Sequence, residues 1–118
     1  MLADWGLGEK ARSFVSDLSH GEQRQLELIL GLGSKPRILL LDEPTQGLGK
    51  AETELLINRI LKFPRDIIVL MIEHDMRVAF AVGERIIVLH HGRVIADGKP
   101  EEIKGNLKVR EAYLGSEV

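Results

Sequence analysis

Three short apolar runs constrain this chain more than any other feature: Ile38 to Leu41, Ile67 to Ile72 and Ile86 to Leu89. They are continuous rather than alternating, which predicts strands covered on both faces, and the spacing leaves room for a helix between each pair. The expected order is βαβαβ, an α/β fold that an all-helical bundle cannot accommodate. Leu55 and Leu56 recur as Ile60 and Leu61 in a helix that Pro64 ends, and Met76, Ala79 and Phe80 sit at helical offsets behind Asp75 as N-cap. Upstream, Leu26, Ile29 and Leu30 mark a helix from about Gly21 to Gly33, closed by the Gly-Ser-Lys-Pro stretch at 33 to 36. Downstream, His91-Gly92 reads as a hairpin turn into Arg93 to Ala96, and Asp97-Gly98 as the next turn. Pro100 then starts a short helix through Lys104, with another near Leu107 to Leu114. Residues 1 to 20 bring no strand of their own.

At 118 residues the chain can bury roughly two thirds of its unfolded surface, enough for one core. Sixteen Lys and Arg against eighteen Asp and Glu form no basic stripe, so nucleic acid is not an expected partner. The absence of Cys removes disulfides, thiolate metal sites and a cysteine nucleophile. The longest apolar run, six residues from Ile67 to Ile72, is far short of the roughly 18 that a spanning helix needs.

The chemistry concentrates at the ends of the apolar runs. Leu41-Asp42-Glu43-Pro44-Thr45 sets two carboxylates where a strand ends, the edge at which open α/β sheets bind ligands. Strand alternation sends Asp42 and Glu43 to opposite sides, one toward Mg²⁺ and the other toward an attacking water. A solvated strand end turned by Pro44 is the plainer account of the same residues. Ser19 and Glu22 in Leu18-Ser19-His20-Gly21-Glu22-Gln23 have capping-box spacing, which explains both without a ligand. The same helix N-terminus, with a serine hydroxyl and a glycine amide, also suits terminal phosphate oxygens. His74 follows the second run, where an imidazole can bond a γ-phosphate or orient water, or simply be solvated. His90 and His91 stand at a hairpin tip, and their expected divergence as adjacent strand residues argues against a shared metal. Asp42 as the phosphoacceptor of a response-regulator-type domain would want an acidic cluster at an earlier strand end, and none is present.

Taken in order, Leu-Ser-His-Gly-Glu-Gln-Arg-Gln, Ile-Leu-Leu-Leu-Asp-Glu-Pro-Thr and Ile-Glu-His-Asp-Met resemble the C-terminal half of an ABC-type ATP-binding subunit. The likeness covers nearly the whole chain, through Val109-Arg110-Glu111-Ala112-Tyr113-Leu114-Gly115. It implies a partial P-loop NTPase core with parallel strands, flanking helices and a C-terminal hairpin plus helices. Residues 1–35 would be the end of a helical subdomain carrying the signature helix, and 36–118 the C-terminal part of the catalytic core. By the same resemblance Ser19, His20, Gly21 and Glu22 form the signature loop, which meets ATP held by the opposite subunit. Asp42 corresponds to the Walker B aspartate that helps hold Mg²⁺, Glu43 to the general base, and His74 to the switch histidine. Gly47 and Leu48 fall in the D-loop that crosses the dimer interface. The His-Gly-Glu signature, the Glu-His-Asp-Met switch and the Tyr-Leu-Gly tail are similar to the subfamily serving branched-chain amino acid import, with urea import a relative. Implied partners are a second ATP-binding subunit, membrane permease subunits and a solute-binding protein, and the implied place of the chain itself is cytoplasmic, peripheral at the inner face of the cell membrane.

One part of the family pattern is missing. No Gly-x-x-x-x-Gly-Lys-[Ser/Thr] loop occurs: Gly31-Leu32-Gly33-Ser34-Lys35 runs into Pro36, and Gly49-Lys50 has Ala51 after it and Pro44 five positions before Gly49. Gly49 also stands where the family usually carries Asp or Ser. The chain alone is therefore expected to bind nucleotide weakly and to hydrolyse none. In the family the Walker A strand lies between the strands that here span Ile67 to Ile72 and Ile86 to Leu89. Its absence predicts that these two meet directly, or that their edges pair with another copy.

Overall fold

A computed structural model of the chain describes residues 1–114, which divide into two compact units with the boundary between His74 and Asp75. In the first unit, three 3-10 turns (Ala3–Trp5, Gly8–Lys10, Val15–Asp17) lead into helix α1, His20–Gly33. Strand β1 (Ile38–Asp42), helix α2 (Lys50–Leu61) and strand β2 (Ile68–Ile72) follow. β1 and β2 run parallel, with Ile38 opposite Ile68 and Asp42 opposite Ile72, so α2 is the crossover of one βαβ unit. Leu28 and Ile29 of α1, Leu56 and Ile60 of α2, Leu7 and Phe63 are buried. α1 lies so close over the sheet that a Cβ on Gly31 would meet Leu39 Cδ1 at 3.0 Å.

The second unit starts with Asp75, whose side chain accepts from the Arg77 amide and caps helix α3, Met76–Val82, as expected. Strand β3 (Ile86–His90) then pairs antiparallel with β4 (Arg93–Gly98). The turn between them has His91 at φ 49° and Gly92 at φ 73°, the left-handed pair that a tight hairpin requires. Helix α4 (Pro100–Lys104) and helix α5 (Leu107–Val109), which runs on as a π-helical turn over Arg110–Leu114, complete the described chain. Ile86, Val88, Ile103 and Val109 form this unit's core, with Met76, Phe80, Ile95 and Ala96 packed against it. Of the Tyr-Leu-Gly tail, the Tyr113 hydroxyl donates to the Leu89 carbonyl, while Gly115 lies outside the described residues.

Three expectations are corrected. The apolar runs are not covered on both faces: Ile38 and Leu40 of β1 and Ile68, Leu70 and Ile72 of β2 form one exposed ladder, and Ile87 and Leu89 of β3 are exposed too. Continuous apolarity here shows as alternating burial along each strand. The second and third runs do not pair: among the described residues β2 is hydrogen-bonded only to β1, and β3 only to β4, in two two-stranded sheets. The third run therefore enters a hairpin rather than a second βαβ crossover. Finally, Asp97 and Gly98 are not a turn but the last residues of β4, Gly98 opposite Ile86. A Cβ at Gly98 would meet the Glu102 carboxylate of the following helix, which would have to shift.

Arg85 grips Asp97 with two bonds, Nε to Oδ1 at 2.8 Å and Nη2 to Oδ2 at 2.6 Å. The guanidinium hydrogen bond holds the Asp97 carboxyl below its ordinary value of 3.8. A lowered folded value means that the stabilisation is complete above the ordinary carboxylate range and is lost as pH falls through the folded value. The pair is exposed and its effect small. Asp97→Asn should thus be slightly less stable than the native chain at pH 7 in urea denaturation. That gap should close on acidification below about 4; a gap of constant size across the titration contradicts the assignment.

Candidate functional site

The site grows from the C-terminal end of the β1–β2 pair. The ladder runs one bond beyond the strands, from the Glu43 amide to the Ile72 carbonyl at 2.8 Å, which brings the residues after β1 beside those after β2. Glu43 then turns with φ 45°, a left-handed backbone uncommon for a residue with a side chain and frequent at functional positions. That turn, not strand alternation, aims Glu43. Its Oε1 lies 3.1 Å from His74 Nδ1. An ionised carboxylate only accepts, so in this pairing Nδ1 carries the proton and Nε2 is left facing outward chemistry. With Nδ1 thus committed, Nε2 donates to a phosphate oxygen only when the ring is doubly protonated.

Beneath this pair is Glu73, whose side chain is 3% exposed against 66% for His74. Glu73 Oε2 accepts from the hydroxyl of buried Thr45 at 3.0 Å, and Oε1 accepts from the His74 amide at 3.0 Å. Glu73 and Thr45 were not singled out from sequence. A signal was present: Glu73 continues the period-two pattern of β2 on the side of the partly covered Val69 and Met71, where an acid needs a partner.

Asp42 ends β1 with an exposed carboxylate. Among the described residues no group of three His, Cys, Asp or Glu is arranged to hold a metal. One carboxylate fits Mg²⁺ in the usual manner, with waters and substrate phosphates completing the shell. His90 and His91 do not diverge as expected, because His91 sits in the left-handed turn; their ring centroids are 4.1 Å apart in an edge-on contact.

The second group is the start of α1. Ser19 Oγ accepts from the Glu22 amide at 3.1 Å and Glu22 Oε2 from the Ser19 amide at 2.9 Å, the full capping box. The Ser19 oxygen acts as acceptor there, which leaves its proton to donate. Gln23 Nε2 ties the helix back to the Val15 and Leu18 carbonyls at 3.0 and 3.3 Å. His20 is exposed at the first helical position, and Gly21 is buried.

Between the groups runs Gly47-Leu48. Gly47 takes φ 79°, and the Leu48 amide donates to the Thr45 carbonyl at 3.1 Å. The Gly49 amide donates to Glu52 Oε2 at 3.3 Å, capping α2. The same carboxylate lies against α1, where a Cβ on Gly21 would stand 2.9 Å from Glu52 Oε1. Glu52 thus joins the segment after Leu48 to the start of α1, another link unread in the sequence. Neither Gly-rich stretch is a phosphate loop: Gly31 to Lys35 closes α1 instead of opening a helix, and the Gly49 amide is already bonded to Glu52.

A parallel βαβ unit with an Asp-Glu strand end, a histidine after the second strand and a capped Ser-x-Gly helix start is an arrangement that matches ABC transporter ATP-binding domains. The family model described as "ABC transporter" matches residues 1–46, and that described as "Branched-chain amino acid ATP-binding cassette transporter" matches residues 93–118. The chain resembles this family in both matched segments. A nucleotide-free ATP-binding cassette from an ABC transporter superposes on it with TM-score 0.84 and 27% identity, over 98% of this chain and 47% of that one. Within the family it is similar to the high-affinity branched-chain amino acid transport ATP-binding proteins BraF of Pseudomonas aeruginosa and LivG of Escherichia coli. BraF is 40% identical over 116 residues, 97% of this chain and 46% of BraF. LivG is 41% identical over 112 residues, 93% of this chain and 44% of LivG. The chain thus spans about half the length of the curated relatives it matches.

The Gly21–Glu52 contact yields a signed prediction. Gly21→Ala should push Glu52 off the Gly49 amide, offsetting the helix-propensity gain of up to about 1 kcal/mol. With Glu52→Ala already present, Gly21→Ala should stabilise the chain. Urea denaturation of the four proteins should give a coupling on the order of 0.5–1 kcal/mol; additive effects would show that the two residues do not touch.

Proposed function

We propose that this chain supplies the signature loop and the hydrolytic groups of the ATPase in an ABC importer for branched-chain amino acids or a related small solute. The observation that carries this reading is the 3.1 Å pairing of Glu43 with His74 at the end of the parallel strands. Glu43 takes the proton from a water that attacks the γ-phosphorus of ATP, and the phosphorus–oxygen bond to ADP breaks as inorganic phosphate forms. His74 holds the base through Nδ1 and meets the γ-phosphate through Nε2. Asp42 is the residue that would hold Mg²⁺, which would supply charge neutralisation at the phosphates. Ser19, His20, Gly21 and Glu22 present the hydroxyl and amides of the α1 N-terminus to ATP held by a second ATP-binding subunit. Gly47 and Leu48 lie along the contact between the two subunits. Permease subunits and a solute-binding protein complete the importer, with this chain at the inner face of the membrane; no described helix is long and apolar enough to cross one.

The phosphate cradle must come from polypeptide that carries the Gly-x-x-x-x-Gly-Lys-[Ser/Thr] loop. Two observations favour that occupant for the exposed β1–β2 ladder. The relatives are more than twice as long as the part matched here, and a parallel sheet in this fold class is covered on both faces.

The test mixes the purified chain with a separately expressed loop-bearing half of a homologous subunit and follows Mg·ATP hydrolysis. The chain alone should show none, and the mixture should turn over. Glu43→Gln should lower that turnover about 100-fold or more, and Leu40→Lys with Leu70→Lys should prevent assembly while leaving α1 capped. Mg²⁺-dependent turnover by the chain alone, lost in Glu43→Gln, would overturn the proposal. A second reading, in which the chain only lends its signature loop to an intact subunit, is favoured by the completed Ser19 cap. It predicts rescue of a subunit with a disabled signature serine, abolished by Ser19→Ala and indifferent to Glu43→Gln.

A further inference from the structure

Glu73 has no part in the reading above, yet it is the most deeply buried carboxylate at the site. Its side chain is 3% exposed, and burying an acid without firm partners is costly. Two of its partners reach the elements that carry the proposed chemistry. Oε1 accepts the His74 amide at 3.0 Å, which sets the backbone from which the imidazole projects. Oε2 accepts the Thr45 hydroxyl at 3.0 Å, across 28 residues of sequence. Thr45 lies in the turn that starts at Glu43, where the Gln46 amide donates to the Glu43 carbonyl at 3.1 Å. The Thr45 carbonyl in turn accepts the Leu48 amide, also at 3.1 Å. One buried side chain therefore holds both ends of the Glu43–His74 pair, and through Thr45 the Gly47-Leu48 segment as well.

We propose that Glu73 is a positioning residue that locks the His74 ring onto Glu43 and ties both to the Gly47-Leu48 segment, through its hydrogen bonds to the His74 amide and the Thr45 hydroxyl. The inference rests on the functional reading of Glu43 and His74 for its consequence, but not for its geometry. A segment lying along a subunit contact and a base–histidine pair then shift together, because Thr45 and Glu73 leave no slack between them. The arrangement also depends on hydrogen bonding more than on charge. Gln at 73 keeps an acceptor for the His74 amide, and its N–H can donate to the Thr45 hydroxyl, which accepts as readily as it donates.

The test is nitrogen-15 NMR of the histidine rings in the intact chain without nucleotide, with His20, His90 and His91 as internal references. Native His74 should show a proton fixed on Nδ1. Glu73→Gln should keep that signature, while Glu73→Leu should lose it and make His74 resemble the exposed His20. Thr45→Val, which removes one anchor and keeps the carboxylate, should weaken the signature and decides the matter should Glu73→Leu fail to fold. In the two-part hydrolysis mixture, Glu73→Leu should lower kcat at least about tenfold with the half-saturating ATP concentration unchanged, and Glu73→Gln should restore it. A native His74 signature in folded Glu73→Leu or in Thr45→Val would overturn the proposal, as would loss of the signature in Glu73→Gln. If the mixture hydrolyses nothing, the functional reading fails while the ring signature still decides the role of Glu73.

Discussion

The parallel pairing of β1 with β2 is the constraint on which the rest of the first unit depends. Its register continues past both strands to the Glu43–Ile72 bond, and only that continuation sets the turn after β1 against the turn after β2. A parallel pair requires a crossover, so α2 is an obligate consequence, and its start at Gly49 fixes where the Gly47-Leu48 segment must run. Slipping the pair by one residue would exchange the exposed ladder for the side packed under α1 and would carry Glu43 away from His74. Register, covering helix and carboxylate–histidine geometry are thus one structural fact seen at three scales.

A second theme is that four carboxylates anchor backbone amides at element ends. Glu22 caps α1, Glu52 caps α2, Asp75 caps α3, and Glu73 holds the His74 amide. Each ties a loop to a regular element over a short distance, and such bonds to an ionised acceptor are stronger than those between neutral groups. The consequence is that the segments with proposed chemistry are pinned at their helix and strand ends, while Asp42, Glu43 and His74 remain open enough to meet a ligand.

The aliphatic ladder on β1 and β2 runs against this economy. Five large side chains stand exposed on a parallel sheet of two strands, an arrangement that a complete α/β layer would cover. The chain also spans about half the length of the relatives it matches, and its local folding rules are satisfied on a sheet with one face left exposed.

What the sequence determined by itself is whatever depends on neighbours a few residues apart. The Ser19–Glu22 box, the Asp75 cap, the Pro100 helix start and the His91-Gly92 turn are written in spacing and in backbone preference, and each is found where the residues indicate. The motifs that mark the family, including the Asp42-Glu43 strand end and His74, are equally legible, because chemistry selects residue types at fixed intervals. Tertiary structure alone decided which distant residues meet. Glu73 finds Thr45, Glu52 finds Gly21, and Glu43 is aimed by a left-handed turn that strand alternation did not anticipate. It also decided that the apolar runs would be half exposed and would divide between two sheets. Burial is a property of the layers that close over a strand, and a strand's own residues record the layer they are suited to, not whether it is there.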